Sequence, residues 1–236
     1  MSPETREKLS HVSCATLTTA LFKRGLRNVF LQDVHPITPK GRNMVGPAFT
    51  LRYIPAREDL NTIAVFESRE HPQRVAIETC PEGHVLVMDS RQDPSAASAG
   101  DILVTRLMVR GAAGIVSDGG FRDSPKIGGL DMPAYHNRPA VPTNLVKHQA
   151  IEINCAIGCA GVAVFPGDII VGDDEGVVVI PAGIADEIAT EAAAMTLFEN
   201  FVSERVMDGQ SILGLYPPTD PANREAFDAW LKARGA

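Results

Sequence analysis

A regular pattern of apolar and polar residues marks the segment from residue 84 to residue 126. Residues 84–89 (HVLVMD) form a short apolar run, which predicts a buried strand. Apolar residues then recur at helical spacing through residues 102–110, and Gly111 can adopt the left-handed conformation that closes a helix. Residues 113–116 form a second apolar run that is too short for a helix. The pattern therefore predicts a strand–helix–strand unit with parallel strands.

The rest of the pattern predicts further helices and strands. Helices are expected from Ser2-Pro3, at residues 13–25, 59–66, 72–80 and 184–207, and from Asp220-Pro221; strands are expected at residues 44–54, 151–156, 162–165, 169–171 and 177–180. Residues 26–43 and the proline-rich residues 128–144 predict loops. Because no repeat, clear linker or low-complexity segment interrupts the pattern, residues 1–236 are interpreted as a single α/β domain.

Composition and charge narrow the functional classes. The chain has 236 residues, of which 44% are hydrophobic and 22% charged, an ordinary soluble globular composition. Its formal net charge is -7 and its pI is about 5.4, which argues against broad nucleic-acid binding. No apolar run is long enough to cross a membrane, and the N-terminus lacks a signal-peptide pattern. We therefore expect a cytoplasmic protein with no membrane or nucleic-acid partner.

The cysteine content gives no sign of a disulfide framework or a zinc site. The four cysteines, Cys14, Cys80, Cys155 and Cys159, are too sparse for disulfide stabilisation of a chain this long. Cys155 and Cys159 have no histidine partner at metal-site spacing. All four are expected to be buried apolar residues. The sequence also lacks the nucleophile-elbow, P-loop, dinucleotide-binding and zinc-protease motifs.

A candidate site lies between residues 100 and 123. Ligands of parallel sheets collect beyond the carboxyl ends of the strands. The predicted helix start at residues 100–103 offers free N–H groups and a dipole for an anion, and Asp101 is a candidate cap. Arg122 offers a planar fork for a carboxylate, and Asp123 offers oxygen ligands for a divalent cation. The hypothesis is a site for a small anionic substrate and a metal ion, and the alternative is an ordinary polar loop.

An ordered series of motifs supports a resemblance to a known family. The motifs are Gly100-Asp101, Arg110-Gly111, residues 118–123 (DGGFRD), residues 45–50 (VGPAFT), and residues 166–181 with PGD, GD and GVVVIP. They resemble the RraA-like family, which comprises regulators of ribonuclease E activity and class II 4-hydroxy-4-methyl-2-oxoglutarate/4-carboxy-4-hydroxy-2-oxoadipate aldolases. The resemblance runs from about residue 9 to residue 206.

This resemblance implies a layered α/β fold of the swivelling β/β/α type, with residues 209–236 as a C-terminal helical extension. It also implies a homotrimer or homohexamer with sites between subunits. Arg122 would bind the 2-oxo acid end of the substrate, and Asp123 would ligate Mg²⁺ or Mn²⁺. The backbone N–H groups of Ile102 and Leu103, which follow Gly100, would bind the carboxylate.

The resemblance implies one further group near the metal, and this sequence departs from the family pattern at three places. Glu199, from the long helix of a neighbouring subunit, is the candidate that approaches the waters on the metal. Lys126 stands where the aldolases have an acid, and the lost negative charge is expected to weaken metal binding. Thr19-Ala20-Leu21 stands where the family often has Asp-Ala-Leu, and the stretch after Gly209 exceeds the shorter members. These departures leave the identity of the substrate open.

The leading functional hypothesis is metal-dependent cleavage of a 4-hydroxy-2-oxo acid into pyruvate and a carbonyl product, with oxaloacetate decarboxylation as an expected side reaction. A cation held by Asp123, together with Arg122, would stabilise the negative charge that develops on the keto oxygen. Asp101 either caps the helix or orients a water on the metal. One alternative is a non-enzymatic regulator that binds a ribonuclease. Another is a metal-dependent dehydratase of a sugar-acid-derived 2-oxo acid.

Other polar residues carry weaker hypotheses. A Schiff base at Lys126 or Lys147 is disfavoured, because neither lysine has an evident apolar pocket that would lower its pKa. In the proline-rich loop, His136 and Arg138 either reach the distal end of the substrate or pack on the surface, and surface packing is the preferred interpretation.

Overall fold

The computed structural model describes residues 1–235. Within this range the helices are α1 (Pro3–Ser10), α2 (Cys14–Lys23), α3 (Pro72–Thr79), α4 (Asp101–Val109), α5 (Ser124–Gly128), α6 (Ala185–Met207) and α7 (Pro221–Arg234). The strands are β1 (His35–Pro36), β2 (Met44–Pro55), β3 (Val85–Asp89), β4 (Ala97–Ala99), β5 (Gly114–Ser117), β6 (Gly120–Phe121), β7 (Ala134–His136), β8 (Arg138–Pro139), β9 (His148–Ile153), β10 (Ile157–Cys159), β11 (Val162–Val164), β12 (Ile169–Gly172) and β13 (Val177–Ile180).

The main sheet has eight strands within residues 1–235, in the order β1-β7-β5-β3-β2-β12-β13, with β9 also paired to β2. The central strands β2, β3, β5 and β7 are parallel neighbours, whereas β9, β12 and β13 run antiparallel to their partners. β3 and β5 pair from Val85 opposite Gly114 to Met88 opposite Ser117, and α4 lies between them in the chain. The predicted strand–helix–strand unit with parallel strands is therefore confirmed.

Alternate residues of β3 pack into two different cores. Leu86 belongs to a cluster that includes Leu107 of α4, whereas Val87 belongs to a cluster that includes Val162 of β11. Successive side chains of a strand point to opposite faces of the sheet. β3 therefore lies in a middle layer, with helices on one face and a second β layer on the other. This arrangement confirms the layered α/β fold.

The N-terminal helices begin where the sequence predicts. Ser2 and Ser13 cap α1 and α2, because each hydroxyl accepts a hydrogen bond from a backbone N–H group in the first turn. Gly25, at φ +82°, follows α2 in the left-handed conformation. Both helices pack against the long helix α6, where Leu17 and Ile188 share one buried cluster.

The C-terminal extension docks on α6 through aromatic rings. The ring centroids of Phe201 and Phe227 lie 5.4 Å apart, and those of Phe201 and Trp230 lie 6.0 Å apart. Nε1 of Trp230 also donates to the Glu204 carboxylate at 2.7 Å. The predicted aromatic face of the last helix therefore packs on its own chain.

Several short elements differ from the sequence predictions. The predictions of loops at residues 26–43 and 128–144 are wrong in part, because β1 lies in the first and β7 and β8 lie in the second, and the sequence pattern does not predict β10. The predicted helix at residues 59–66 is a 3₁₀ helix at Ile63–Glu67. Cys155 is half-buried, unlike the three buried cysteines. Two- and three-residue strands are too short for a hydrophobic period to identify them.

Among residues 1–235, no helix combines the length and the apolar character that crossing a membrane requires.

Candidate active site

Two short strands bring the two halves of the candidate site together. β4 pairs in parallel with β6, and the backbone N–H of Arg122 donates to the carbonyl of Ala99 at 3.0 Å. The chain leaves β4 at Gly100 to begin α4, and it leaves β6 at Arg122. The start of α4 and the turn at Arg122 and Asp123 therefore lie side by side, as the parallel-strand argument predicts.

Gly100 is the position at which these two halves approach most closely. A Cβ atom on Gly100 would lie 2.9 Å from Nε of Arg122 and 3.0 Å from Oδ2 of Asp123. The N-cap of α4 is Gly100 rather than Asp101, and no side chain caps it. The first N–H groups of α4, including those of Ile102 and Leu103, have no intrahelical acceptor and are available to an anion.

Asp123 adopts a backbone conformation that is unusual for a residue with a side chain. Its φ is +59° and its ψ is 30°, in the left-handed region, which costs roughly 1–2 kcal/mol outside glycine. Its carbonyl accepts the Lys126 N–H at 3.0 Å at the start of α5, and its Oδ2 lies 3.6 Å from Nε of Arg122. Strain of this kind collects at functional sites.

Lys126 contacts the acidic side of the site. Its Nζ donates to Oδ2 of Asp101 at 3.1 Å. The hydrogen bond from Lys126 lowers the pKa of Asp101. In turn, the contact with Asp101 and then the charge of Asp123 raise the pKa of Lys126. Because the Lys126 side chain is 74% exposed, solvent screens this ion pair, and the interaction is weak.

The acidic residues fit a hydrated divalent cation better than a fully enclosed one. Within residues 1–235, no cluster of three or more His, Cys, Asp or Glu side chains is arranged to hold a metal. Mg²⁺ commonly binds through one or two carboxylates and keeps several waters. Asp123, whose side chain is 38% exposed, fits the predicted ligand role, and Asp101 is a second carboxylate beside it. A cation at this position would share its surroundings with the Lys126 ammonium group.

Asp118, the first residue of the DGGFRD motif, faces the interior instead. Its carboxylate accepts hydrogen bonds from the backbone N–H groups of Ser90 at 2.6 Å, Gln92 at 3.0 Å and Ala160 at 3.0 Å. Burial raises its pKa, although these hydrogen bonds oppose the shift. Asp118 therefore ties the ends of β3 and β5 together and supports the turn that carries Arg122.

A cavity of ≈ 270 Å³ opens at the start of α4. The sequence-predicted residues on its wall are Gly100, Asp101, Ile102, Leu103 and Arg122. The volume lies just below the usual range for ligand sites, about 300–1,000 Å³, and suits a small metabolite. A larger groove of ≈ 670 Å³ lies beside α2, but no sequence-predicted site residue lines it.

The rest of the cavity wall carries polar residues that no sequence motif marks as site residues. Gln73 and Arg74 of α3 and Asn144 line the same cavity. Gln73 is 2% exposed and its Oε1 has no hydrogen-bond partner within residues 1–235; the same holds for Nδ2 of Asn144, which is 3% exposed. An unsatisfied buried polar atom costs about 1–3 kcal/mol. The only sequence signal for this wall is the prolines before Asn144, which mark a long loop.

Glu199 lies apart from these groups within one chain. It is on α6, and its Oε2 accepts a hydrogen bond from the Thr16 hydroxyl at 2.7 Å. Its predicted approach to the metal involves a neighbouring subunit and stays a prediction.

His136 and Arg138 occupy different environments. His136 is 6% exposed, and its Nδ1 accepts a hydrogen bond from the Phe121 N–H at 3.3 Å. His136 therefore packs in the interior and not on the surface. Arg138, in contrast, is exposed on β8. Neither residue lines the cavity at α4.

The motifs, the layered fold and the geometry at Gly100 agree with one family. A family model described as RraA-like, Aldolase/RraA, matches residues 14–179. The chain belongs to the RraA-like family. Solved structures of similar proteins have the same fold. Streptomyces coelicolor RraAS2, described as an unusual member of the RNase ES inhibitor RraA protein family, is 29% identical, with a TM-score of 0.74 over 85% of this chain and 96% of that chain.

A second solved structure supports the fold alone. An uncharacterized protein from Pseudomonas syringae pv. tomato is 23% identical, with a TM-score of 0.77 over 92% of this chain and 98% of that chain. The mixed α/β RraA-like architecture with C-terminal helices is thereby confirmed.

Two sequence relatives of this RraA-like chain match it over only part of their own length. Protein DlpA of Legionella pneumophila is 26% identical over 89% of this chain and 33% of its own length. A Halalkalibacterium halodurans protein, provisionally named 4-hydroxy-4-methyl-2-oxoglutarate aldolase, is 37% identical over 47% of this chain and 52% of its own length. The chain thus spans about a third of the first protein and about half of the second.

Proposed function

We propose that this RraA-like protein is a class II aldolase that cleaves a 4-hydroxy-2-oxo acid to pyruvate and a carbonyl product, with oxaloacetate decarboxylation as a side reaction. The observation that carries the proposal is the convergence of Arg122, Asp123 and the start of α4 at Gly100, where Gly100 and Arg122 also line a small cavity. The provisional names of two relatives in the family support the same chemistry.

Each group around Gly100 has a different role in the proposed reaction. The N–H groups of Ile102 and Leu103, helped by the α4 dipole, bind the substrate carboxylate. Arg122 donates to the keto oxygen and stabilises the negative charge that develops there when the C3–C4 bond breaks. Asp123 would hold Mg²⁺ or Mn²⁺, which supplies Lewis-acid stabilisation of the same charge when it is bound.

Proton movements complete the reaction. The electron pair of the broken bond passes to the pyruvate fragment, which takes up a proton at C3. The 4-hydroxyl group loses its proton as the carbonyl product forms. We assign the removal of that proton, through a water, to Glu199 of a neighbouring copy of this chain, so the active form would be a homotrimer or homohexamer. Asp101 would orient a water at the same site.

A test of the proposal measures pyruvate release from a panel of 4-hydroxy-2-oxo acids and oxaloacetate, with magnesium and with chelator. Magnesium-dependent release is expected. Asp123→Ala should abolish it while circular dichroism and melting temperature stay close to wild type. Asp174→Ala, which removes an exposed carboxylate elsewhere, should leave it unchanged. An active Asp123→Ala variant that still requires metal would contradict the assignment of Asp123.

One observation favours a second function, a non-enzymatic regulator that binds a ribonuclease. Lys126 pairs with Asp101 at the position where the proposed metal would lie, which would weaken catalysis. RraAS2, 29% identical, is described as belonging to an RNase ES inhibitor family. A pull-down with a ribonuclease E-type protein tests this alternative. Stable binding by a folded protein that releases no pyruvate would favour the regulator over the aldolase.

A further inference from the structure

Three buried serine hydroxyls form a hydrogen-bonded ring against the turn that leads to Arg122. The hydroxyl oxygens of Ser90 and Ser98 lie 2.6 Å apart, those of Ser98 and Ser117 lie 2.8 Å apart, and those of Ser90 and Ser117 lie 3.1 Å apart. Each of the three residues is 0% exposed. The N–H of Gly119 also donates to Oγ of Ser117 at 3.0 Å. Because hydrogen bonds tolerate only small changes of distance and angle, the ring fixes the relative positions of its members.

The ring joins three strands at the candidate site. Ser90 follows β3, Ser117 ends β5, and Ser98 is the middle residue of β4. Asp118 already connects the ends of β3 and β5, because its carboxylate accepts the Ser90 N–H. β4 consists of Ala97, Ser98 and Ala99, so Ser98 is the residue through which β4 joins the ring.

The backbone of Ser98 is held from the side of α3. Its carbonyl accepts hydrogen bonds from the Tyr53 hydroxyl at 3.2 Å and from Nε2 of Gln73 at 2.5 Å. β4 pairs with β6 on either side of Ser98, with an irregular register at that residue. Contacts from two directions therefore fix Ser98, and Gly100 follows it by two residues.

We propose that Ser98 is a positioning residue that sets the distance between the first N–H groups of α4 and Arg122. Its hydroxyl holds β4 against β5, and the carbonyl of Ala99, the next residue, accepts the Arg122 N–H at 3.0 Å. This inference rests on the proposed function, in which the α4 N–H groups bind the substrate carboxylate and Arg122 binds the keto oxygen. A shift of β4 changes the separation of these two binding points and leaves each of them intact.

Ser98→Ala and Ser90→Ala form a matched pair, because each removes one hydroxyl from the ring and leaves one contact. Ser90→Ala leaves the contact between Ser98 and Ser117, so β4 stays joined to β5, whereas Ser98→Ala releases β4. Both variants should lower the melting temperature by a similar amount. Ser98→Ala should raise KM for pyruvate release about tenfold, below the 10²-fold loss that a displacement of about 1 Å can cause, and Ser90→Ala should change KM by less than about twofold.

KM separates a positioning role from a loss of stability. A variant that is only less stable contains fewer folded molecules, which lowers the apparent kcat and leaves KM unchanged. Equal KM values in Ser98→Ala and Ser90→Ala, or a fall in apparent kcat alone in Ser98→Ala, would overturn the assignment. Ser98→Cys keeps a weak S–H donor and should lie between wild type and Ser98→Ala. It replaces Ser98→Ala in the comparison if that variant does not fold.

Amide hydrogen exchange on the full chain tests Ser98 without a substrate. The Arg122 N–H, which is bonded to the Ala99 carbonyl, should exchange about tenfold faster in Ser98→Ala than in Ser90→Ala. The two proposals fail separately. Faster exchange in Ser98→Ala, with no pyruvate release from any substrate by wild type, refutes the aldolase but keeps the role of Ser98 in placing Arg122. Equal exchange in the two variants refutes the role of Ser98, whatever the activity.

Discussion

Nζ of Lys126 lies 3.1 Å from Oδ2 of Asp101, on the acidic side of a site whose other carboxylate is Asp123. A divalent cation bound to Asp123 would experience the charge of this ammonium group as repulsion. The chain thus carries its own positive charge at the point where the proposed chemistry needs a metal. We therefore expect the contact between Lys126 and Asp101 to affect metal affinity and not the fold.

Replacing Lys126 should therefore strengthen metal binding. Lys126→Met removes the repulsion and frees Asp101, so the dissociation constant for Mn²⁺ should fall severalfold. Titration monitored by electron paramagnetic resonance measures it directly. Lys232→Met, on α7, is the matched control and should bind Mn²⁺ as wild type does. Unchanged affinity in Lys126→Met would show that the ammonium group does not compete with the metal.

Gly100 leads to a second prediction, because a methyl group has no room there. In Gly100→Ala the new Cβ would lie 2.9 Å from Nε of Arg122 and 3.0 Å from Oδ2 of Asp123, so both side chains must move. A displacement of about 1 Å can cost about 10²-fold in rate, and we expect a loss of that size in kcat/KM for pyruvate release.

The matched control for Gly100→Ala is Gly183→Ala, because a Cβ on Gly183 meets no atom within 4 Å. It should retain wild-type activity. Both variants should melt near the wild-type temperature, since the atoms that the new Cβ would meet at Gly100 belong to the partly exposed side chains of Arg122 and Asp123 and not to the buried core. If Gly100→Ala kept full activity, the approach of Arg122 and Asp123 to this backbone would have no functional meaning.

The third prediction concerns the pH dependence of stability. Burial lowers the pKa of His136 from 6.5 to about 4 in the folded protein, and the charge of His35 contributes. As pH falls from 6.5 to about 4, the unfolded chain takes up a proton at His136 and the folded chain does not. The free energy of unfolding should therefore decrease by about 2–3 kcal/mol over this range.

A variant without the titrating ring should lose this part of the pH dependence. His136→Gln keeps an acceptor for the Phe121 N–H, and urea denaturation across the same pH range should give it a shallower decrease than wild type. His11→Gln replaces an exposed histidine and should retain the wild-type slope. Identical slopes for wild type and His136→Gln would exclude His136 as the source.

The sequence predicts the half of the site that is local in the chain. Gly100 and Asp101 begin a helix, Arg122 and Asp123 follow a strand, and parallel strands place such positions at one edge of a sheet. Hydrophobic periodicity is sufficient for each of these steps. The contact between the two segments through β4 and β6 was not predicted, because such short strands have no period to detect.

The rest of the cavity wall depends on tertiary packing. Arg74, on α3, is separated from Gly100 by β3 and β4, and Asn144 is separated from Arg122 by α5, β7 and β8. Neither residue lies in a motif. Their proximity depends on how α3 and the loop before Asn144 pack across the sheet, which no local pattern specifies. The missing hydrogen-bond partners of Gln73 and Asn144 are visible only in the folded structure.

The last prediction tests whether one active site combines Asp123 of one subunit with Glu199 of another. Within a single chain Glu199 bonds Thr16, on α2, and has no hydrogen bond to Arg122 or Asp123 among residues 1–235. Asp123→Ala and Glu199→Ala should each be inactive alone. Subunits of the two variants, mixed and reassembled, should regain activity, because some interfaces then pair an intact Asp123 with an intact Glu199. In a cyclic oligomer with random mixing, about a quarter of the sites should be restored. Mixtures of each inactive variant with itself are the control. No recovery in mixed oligomers of wild-type size would place both residues in the same subunit or remove Glu199 from the site.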